Sequence, residues 1–120
     1  MVMRMFHGSS SQTLDLHQGI CLTEHDSIAR DYAIYSSSDA GCIHHVEFAF
    51  AGLSVLELDE GYDRDANIAP ADLDPAAFPG TDVIIFADET ITGRAHLTYR
   101  LLTPAAIAAV TVTGSSDADY

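Results

Sequence analysis

Three residues near the amino terminus, His7, Gly8 and Ser9, can do chemistry as a set. An imidazole offers a hydrogen-bond donor and an acceptor, a glycine leaves its backbone open to close approach, and a hydroxyl both gives and takes a proton. Thr23 adds a second hydroxyl. Tyr32, nine residues later, adds an aromatic face on which a flat ligand can stack. The carboxylates of Asp88 and Glu89 follow the apolar run Asp82–Phe86. A fixed carboxylate stabilises positive charge as it develops at a reacting carbon, or takes the proton of an incoming nucleophile. Asp88 is the first choice for that role, because a residue ending a buried strand is rigidly held. Glu89 is the second, since a continuing pleat through Ala87 points it to the other side.

Other chemistries find less support. His44 and His45 are adjacent, and neighbours on a strand face opposite sides, so the pair cannot chelate one ion. His17, His25 and His96 show no ligand spacing, and the chain is expected to hold no metal. A glycine-rich phosphate loop and a nucleophile elbow are both absent from the sequence. Cys21 and Cys42 are too few for a disulfide framework and read as free thiols in a reducing compartment.

The elements that must position these residues are short. Met3–His7 reads as a strand closed by Gly8, and Gly19–Thr23 as a second. Thr23 or Asp26 can cap a helix whose apolar face is Ile28, Tyr32 and Tyr35, with Ala29 and Ala33 beside it. The run Ser36–Gly41 ends that helix. Strands follow at Cys42–Phe50 and Leu53–Leu58, then an acidic loop over Asp59–Asp65 and a short helix around Ala71–Phe78 between prolines. Asp82–Phe86 reads as a central strand buried on both faces, Ala87–Ala95 as a loop, and His96–Leu102 as a strand. A turn or helix with Pro104 at its first position and a strand at Val110–Val112 complete the pattern. This is α+β: short, mostly antiparallel strands with two or three short helices, too few for a doubly wound parallel sheet. Residues 1–113 form one domain and 114–120 a polar, mobile tail.

Charge sets the surroundings. Eighteen acidic residues against five basic ones give a net charge of −13, and all five basic residues are arginines. Ten of the acids fall between Glu57 and Glu89. Such a surface repels phosphate backbones, so direct nucleic-acid binding is not expected. It suits a partner with a basic surface, or serves solubility alone. No apolar run reaches the roughly 20 residues of a membrane span, and MVMRMFHGSS has no secretory signal pattern. A cytoplasmic protein is the expectation.

With these residues in place, the chain resembles the ADP-ribosyltransferase superfamily, in its diphtheria-toxin and poly-ADP-ribose-polymerase branch. That family opens with a strand ending His-Gly-Thr/Ser, as Phe6-His7-Gly8-Ser9 does. It continues with a Gly-Ile-Tyr-Phe-type strand, here Gly19-Ile20-Cys21-Leu22, and a helix carrying Tyr, here Tyr32. The distance from Cys21 to Tyr32 equals that between the two family tyrosines. Closer still is the resemblance to small type I-F anti-CRISPR ADP-ribosyltransferases of phages, carried by Met5–Ser9, by Val83–Glu89 and by Leu101–Pro104. Cys21 stands where the branch has Tyr, and no acid opens the strand at His96, where larger members carry Glu.

The resemblance implies a compact ADP-ribosyltransferase-like fold that binds NAD as ADP-ribose donor through His7, Gly8, Ser9, Thr23 and Tyr32, with Asp88 as the catalytic acid. It implies transfer to a macromolecule in the bacterial host cytosol, such as a subunit of a CRISPR surveillance complex. The alternative is a catalytically inactive NAD-binding or acidic, DNA-mimicking protein that covers a basic partner surface.

Overall fold

The computed structural model describes residues 2–10, 13–36, 41–58, 78–89, 93 and 95–118. Among these residues seven strands and two helices follow in the order β1 (Met3–Ser9), β2 (Cys21–Leu22), α1 (Asp26–Ser36), β3 (Gly41–Phe48), β4 (Val55–Glu57), β5 (Val83–Glu89), β6 (Ala95–Leu101), α2 (Pro104–Ala108) and β7 (Val110–Ala118). They form a three-stranded sheet, β1-β3-β7, and a four-stranded sheet, β2-β6-β5-β4. Every pair is antiparallel except β4 with β5, which is the compact, mostly antiparallel α+β arrangement expected.

The main core lies between the sheets. Met5, Val46 and Phe48 from the first sheet meet Leu22, Val83, Ile85 and Leu101 from the second, with Ala106 of α2 and Val110 beside them. Strand periodicity explains why β5 reads as an unbroken apolar run. Val83 and Ile85 face this core, whereas Ile84 and Phe86 face the opposite side, where Leu102, Leu58 and Phe78 cover them. At its other face the first sheet carries α1. Ile28, Ala29 and Ala33 are buried there, whereas Tyr32 stays on the exposed side of the helix.

Several boundaries differ from the sequence expectation. β5 continues through Asp88 and Glu89, so neither residue lies in a loop; Glu89 pairs with Ala95 and Asp88 with His96. Polar residues at the end of a hairpin carry no burial signal, yet the backbone ladder does not require one. For the same reason β7 runs through Gly114 to Ala118, in the stretch expected to be a polar tail. It pairs with β3 although Thr111–Asp117 are exposed. β4 is shorter than Leu53–Leu58. The acidic loop at 59–65 and, up to residue 77, the helix expected around Ala71–Phe78 lie outside the described residues. No helix among the described residues is long and apolar enough to cross a membrane.

One polar knot fixes how β5 begins. The Thr103 hydroxyl caps α2 by accepting from Ala106 N–H at 3.2 Å, and donates to Asp82 Oδ1 at 2.6 Å. Asp82 Oδ2 accepts from Ser54 N–H at 2.8 Å. These bonds, Thr103 first, hold the Asp82 carboxyl below its usual value. A carboxylate with a depressed folded value stabilises the fold above its unfolded pKa, and that contribution disappears as the pH falls through the folded value. Thr103→Ala should therefore cost about 1 kcal/mol in denaturant unfolding at neutral pH. The deficit of Asp82→Asn relative to the parent should shrink below about pH 4.

Candidate functional site

β1 is an edge strand that changes partner along its length. Phe6 exchanges both backbone hydrogen bonds with Thr23, N–H to O at 2.8 Å and O from N–H at 2.9 Å. This isolated bridge joins the two sheets. Backbone polar groups alternate sides along a strand, so those of His7 and Ser9 point to β3, where they pair with His44 and Cys42. Those of Gly8 point the other way, beside Phe6's, toward Cys21. There the pairing has already stopped: Gly8 has no strand partner on that side among the described residues. An amide N–H and a carbonyl are thus left side by side at the seam between the sheets.

Gly8 is glycine for a second reason. A Cβ at this position would run into the Ala29 carbonyl oxygen and come within 2.9 Å of Ala33 N. On β3, a Cβ at Gly41 would meet the Ala33 carbonyl oxygen at 2.7 Å. Two glycines on neighbouring strands therefore let one turn of α1, Ala29–Ala33, lie directly on the sheet. That turn carries Tyr32, which is 37% exposed.

His7 closes the seam from the inner side. A carbonyl only accepts, so Nδ1–H donates to Cys21 O at 2.8 Å, which leaves Nε2 as a free lone pair in the neutral ring. Its ring stacks beside buried His44, with centroids 6.4 Å apart. Burial pulls the His7 pKa down; the Cys21 bond opposes this, and His44 and His17 add to it. His45 lies on the other face, edge-on to Phe6 at 5.3 Å, with Nε2 3.0 Å from Ser116 Oγ.

Thr23 is nearly inaccessible, at 5% exposure, and its Oγ1 accepts from His25 N–H at 3.4 Å. It secures the bridge and the entry to α1 and offers no open hydroxyl to the surface. The helix starts at Asp26, with His25 O accepting its first bond from Ala29 N–H. Ser9 is half-buried at the end of β1.

Tyr32 reaches the second sheet. Its phenol lies 2.9 Å from His96 Nε2, with the two rings edge to face at 5.6 Å and 80°. His96 is the register partner of Asp88. So His7, Gly8 and Thr23 lie where β1 and β2 meet, Tyr32 stands on the helical turn seated over Gly8 and reaches His96, and Asp88 is the register partner of His96 on β5. Sequence spacing gave His96 no role; its part depends on the β5–β6 register, which extends through residues with no apolar pattern. No group of three or more His, Cys, Asp or Glu among the described residues is arranged to hold a metal ion.

No protein-family model matches the chain, and no curated protein or solved structure is significantly similar to it.

Two outcomes test this geometry. Gly8→Ala should lower stability by about 1–3 kcal/mol in denaturant unfolding, because α1 must lift off β1. A value near zero would mean the helix is not seated there. His7, neutral in the fold with a lowered pKa, is protonated more readily when unfolded, so its contribution falls as the pH drops below about 6.5. His7→Gln should flatten the decline of the thermal midpoint between roughly pH 6.5 and 5.

Proposed function

We propose that the chain is an NAD-dependent ADP-ribosyltransferase with an ADP-ribosyltransferase-like fold, acting on a macromolecular acceptor. One observation carries this reading: among the described residues the Gly8 N–H and C=O have no backbone partner on the side facing β2, beside His7 at the inter-sheet seam and under the helical turn that bears Tyr32. A primary carboxamide is both donor and acceptor, and a backbone N–H with a neighbouring C=O matches it. The nicotinamide ring it carries is flat and suits an aromatic face. His7 Nε2, an acceptor in the neutral ring, suits a ribose hydroxyl. Arg100 lies with Nη1 3.8 Å from Cys21 Sγ, on the strand facing β2, and brings a permanent positive charge to an otherwise acidic chain. That charge suits a pyrophosphate.

The chemistry breaks the bond between nicotinamide and its ribose. Nicotinamide leaves with the electron pair, C1′ becomes oxocarbenium-like, and the acceptor nucleophile adds there and gives up its proton. A carboxylate near C1′ stabilises the charge and takes that proton; Asp88, opposite His96, is the residue assigned to it. Ser9 and Thr23 support the site, Thr23 from within the fold. The acceptor fits a protein with a basic surface, given a net charge of −13, and a subunit of a bacterial CRISPR surveillance complex is the acceptor the sequence resemblance suggests.

Millimolar NAD should raise the thermal midpoint, since a ligand of the folded state stabilises it; an unchanged midpoint overturns the reading. Asp88→Ala should keep NAD affinity while transfer of labelled ADP-ribose falls about 10²–10³-fold. Glu89→Ala should be milder. NAD bound with no transfer to any acceptor would leave a binding protein.

A further inference from the structure

The first sheet ends at β7, on the side away from β1 and the inter-sheet seam. Among the described residues no strand lies beyond it, and Thr111–Asp117 are exposed. The ladders fix which way its backbone groups point. Cys42 and His44 turn theirs toward β1, so the alternate residues Gly41 and Ile43 turn theirs toward β7, where they pair with Ala118 and Ser116. Ser115 and Asp117 therefore direct N–H and C=O outward. The register with β3 slips at one point. Val46 pairs with Val112 and His45 with Gly114, so Thr113 is the extra residue of a bulge, its hydroxyl donating to His45 O at 3.1 Å. The regular part of the open edge is Gly114–Ala118.

We propose that this edge binds a second copy of the chain, antiparallel over Gly114–Ala118 about a two-fold axis at Ser116, so that two sheets join in the strand order β1-β3-β7-β7-β3-β1. The edge lacks the residues that block such pairing: Val110–Ala118 contains no Lys, Arg or Pro, and its one charge is Asp117. What selects a like strand is the side-chain order. An axis at Ser116 sets Ser115 opposite the second copy's Asp117, and Asp117 opposite its Ser115. Both are outward-facing positions, so each pair exchanges two backbone bonds, and in each a hydroxyl can donate to a carboxylate. An axis at Asp117 would set like charges directly opposite, and an axis at Ser115 would run Asp117 against the bulge at Thr113. Charge separates this occupant from a basic one. The net charge of −13 draws cations to the acidic surface, whereas an edge whose single carboxylate meets its own hydroxyl fits a strand of the same composition.

So short a ladder makes a small interface, and two copies of like charge repel, so association is weak and should tighten as added salt screens that repulsion. The experiment is sedimentation velocity from about 10 µM to 1 mM protein, at low and at high salt. It compares the parent with Ser115→Asp, Ser115→Lys, Ser115→Pro and the same charge changes at Ala51, which is exposed in the turn after β3. Ser115→Asp places a carboxylate opposite Asp117 in both symmetric pairs and should raise the dimer Kd about two- to thirtyfold; Ser115→Lys should lower it by a similar factor. Ala51→Asp and Ala51→Lys should shift it by less than about twofold. Ser115→Pro removes an outward N–H and no bond to β3, so it should give a folded monomer; if it does not fold, the Ser115 charge pair decides alone. A parent that stays monomeric up to about 1 mM, a dimer indifferent to both charges at Ser115, or one equally sensitive at Ala51 overturns the proposal. The seam at β1 lies at the opposite edge of the sheet, so none of these outcomes touches the NAD reading.

Discussion

α1 lies against the first sheet at a separation that only glycine permits, and the rest of the site follows from that contact. Gly8 and Gly41 sit on adjacent strands under the same helical turn, and a methyl group at either would meet helix backbone. Helix backbone cannot yield as a flexible side chain would, so this contact sets the height of α1 over β1 and β3. The height in turn decides where Tyr32 goes. With Ala29 and Ala33 turned down onto the glycines, Tyr32, three residues after one and just before the other, emerges from the side of the helix toward β6.

The edge of β1 is divided between structure and an open pair of polar groups. At Phe6 it is fully used, and the two bonds with Thr23 are what joins the sheets. Two residues on, at Gly8, β2 has parted from β1, and the His7 imidazole takes the Cys21 carbonyl that a continuing ladder would have used. Unpaired backbone polar groups are uncommon in folded proteins unless they meet water or a ligand. A strand edge beside a parting of two sheets is a place where they can meet either. The candidate site thus lies where a sheet joint opens, with residues on β1, β2 and α1, and Tyr32 of α1 touches His96 of the β5–β6 hairpin.

What the sequence made legible follows from which signals are local. The strand at Met3–His7, the helix after Thr23, the buried strand at Asp82–Phe86 and the proline-led helix at Pro104 rest on apolar periodicity and capping residues a few positions apart, and all four are present. Gly8 was singled out by its type, and its close approach to α1 gives that glycine a structural reason. Polar strand ends were not legible. The Asp88–His96 pairing and the strand through Ser115 and Ser116 are maintained by backbone ladders, which leave no mark in side-chain type. His96 was missed because its significance lies in a register and not in a spacing. Thr23 was read as a ligand-facing hydroxyl, whereas it is buried, because a bridge between sheets is a long-range contact that no local pattern encodes.

The forces that hold the parts of the site differ in strength, and this orders how they can move. The seat of α1 is steric, and crowding a packed contact of that kind costs about 1–3 kcal/mol. The Phe6–Thr23 bridge is a pair of backbone bonds between half-buried Phe6 on the edge strand β1 and buried Thr23 just after β2. The Tyr32–His96 bond is a single side-chain hydrogen bond at the surface, worth about 0.5–1.5 kcal/mol at most. Of these three contacts the Tyr32–His96 bond is the weakest taken alone, and the steric seat of α1 on Gly8 and Gly41 is the strongest.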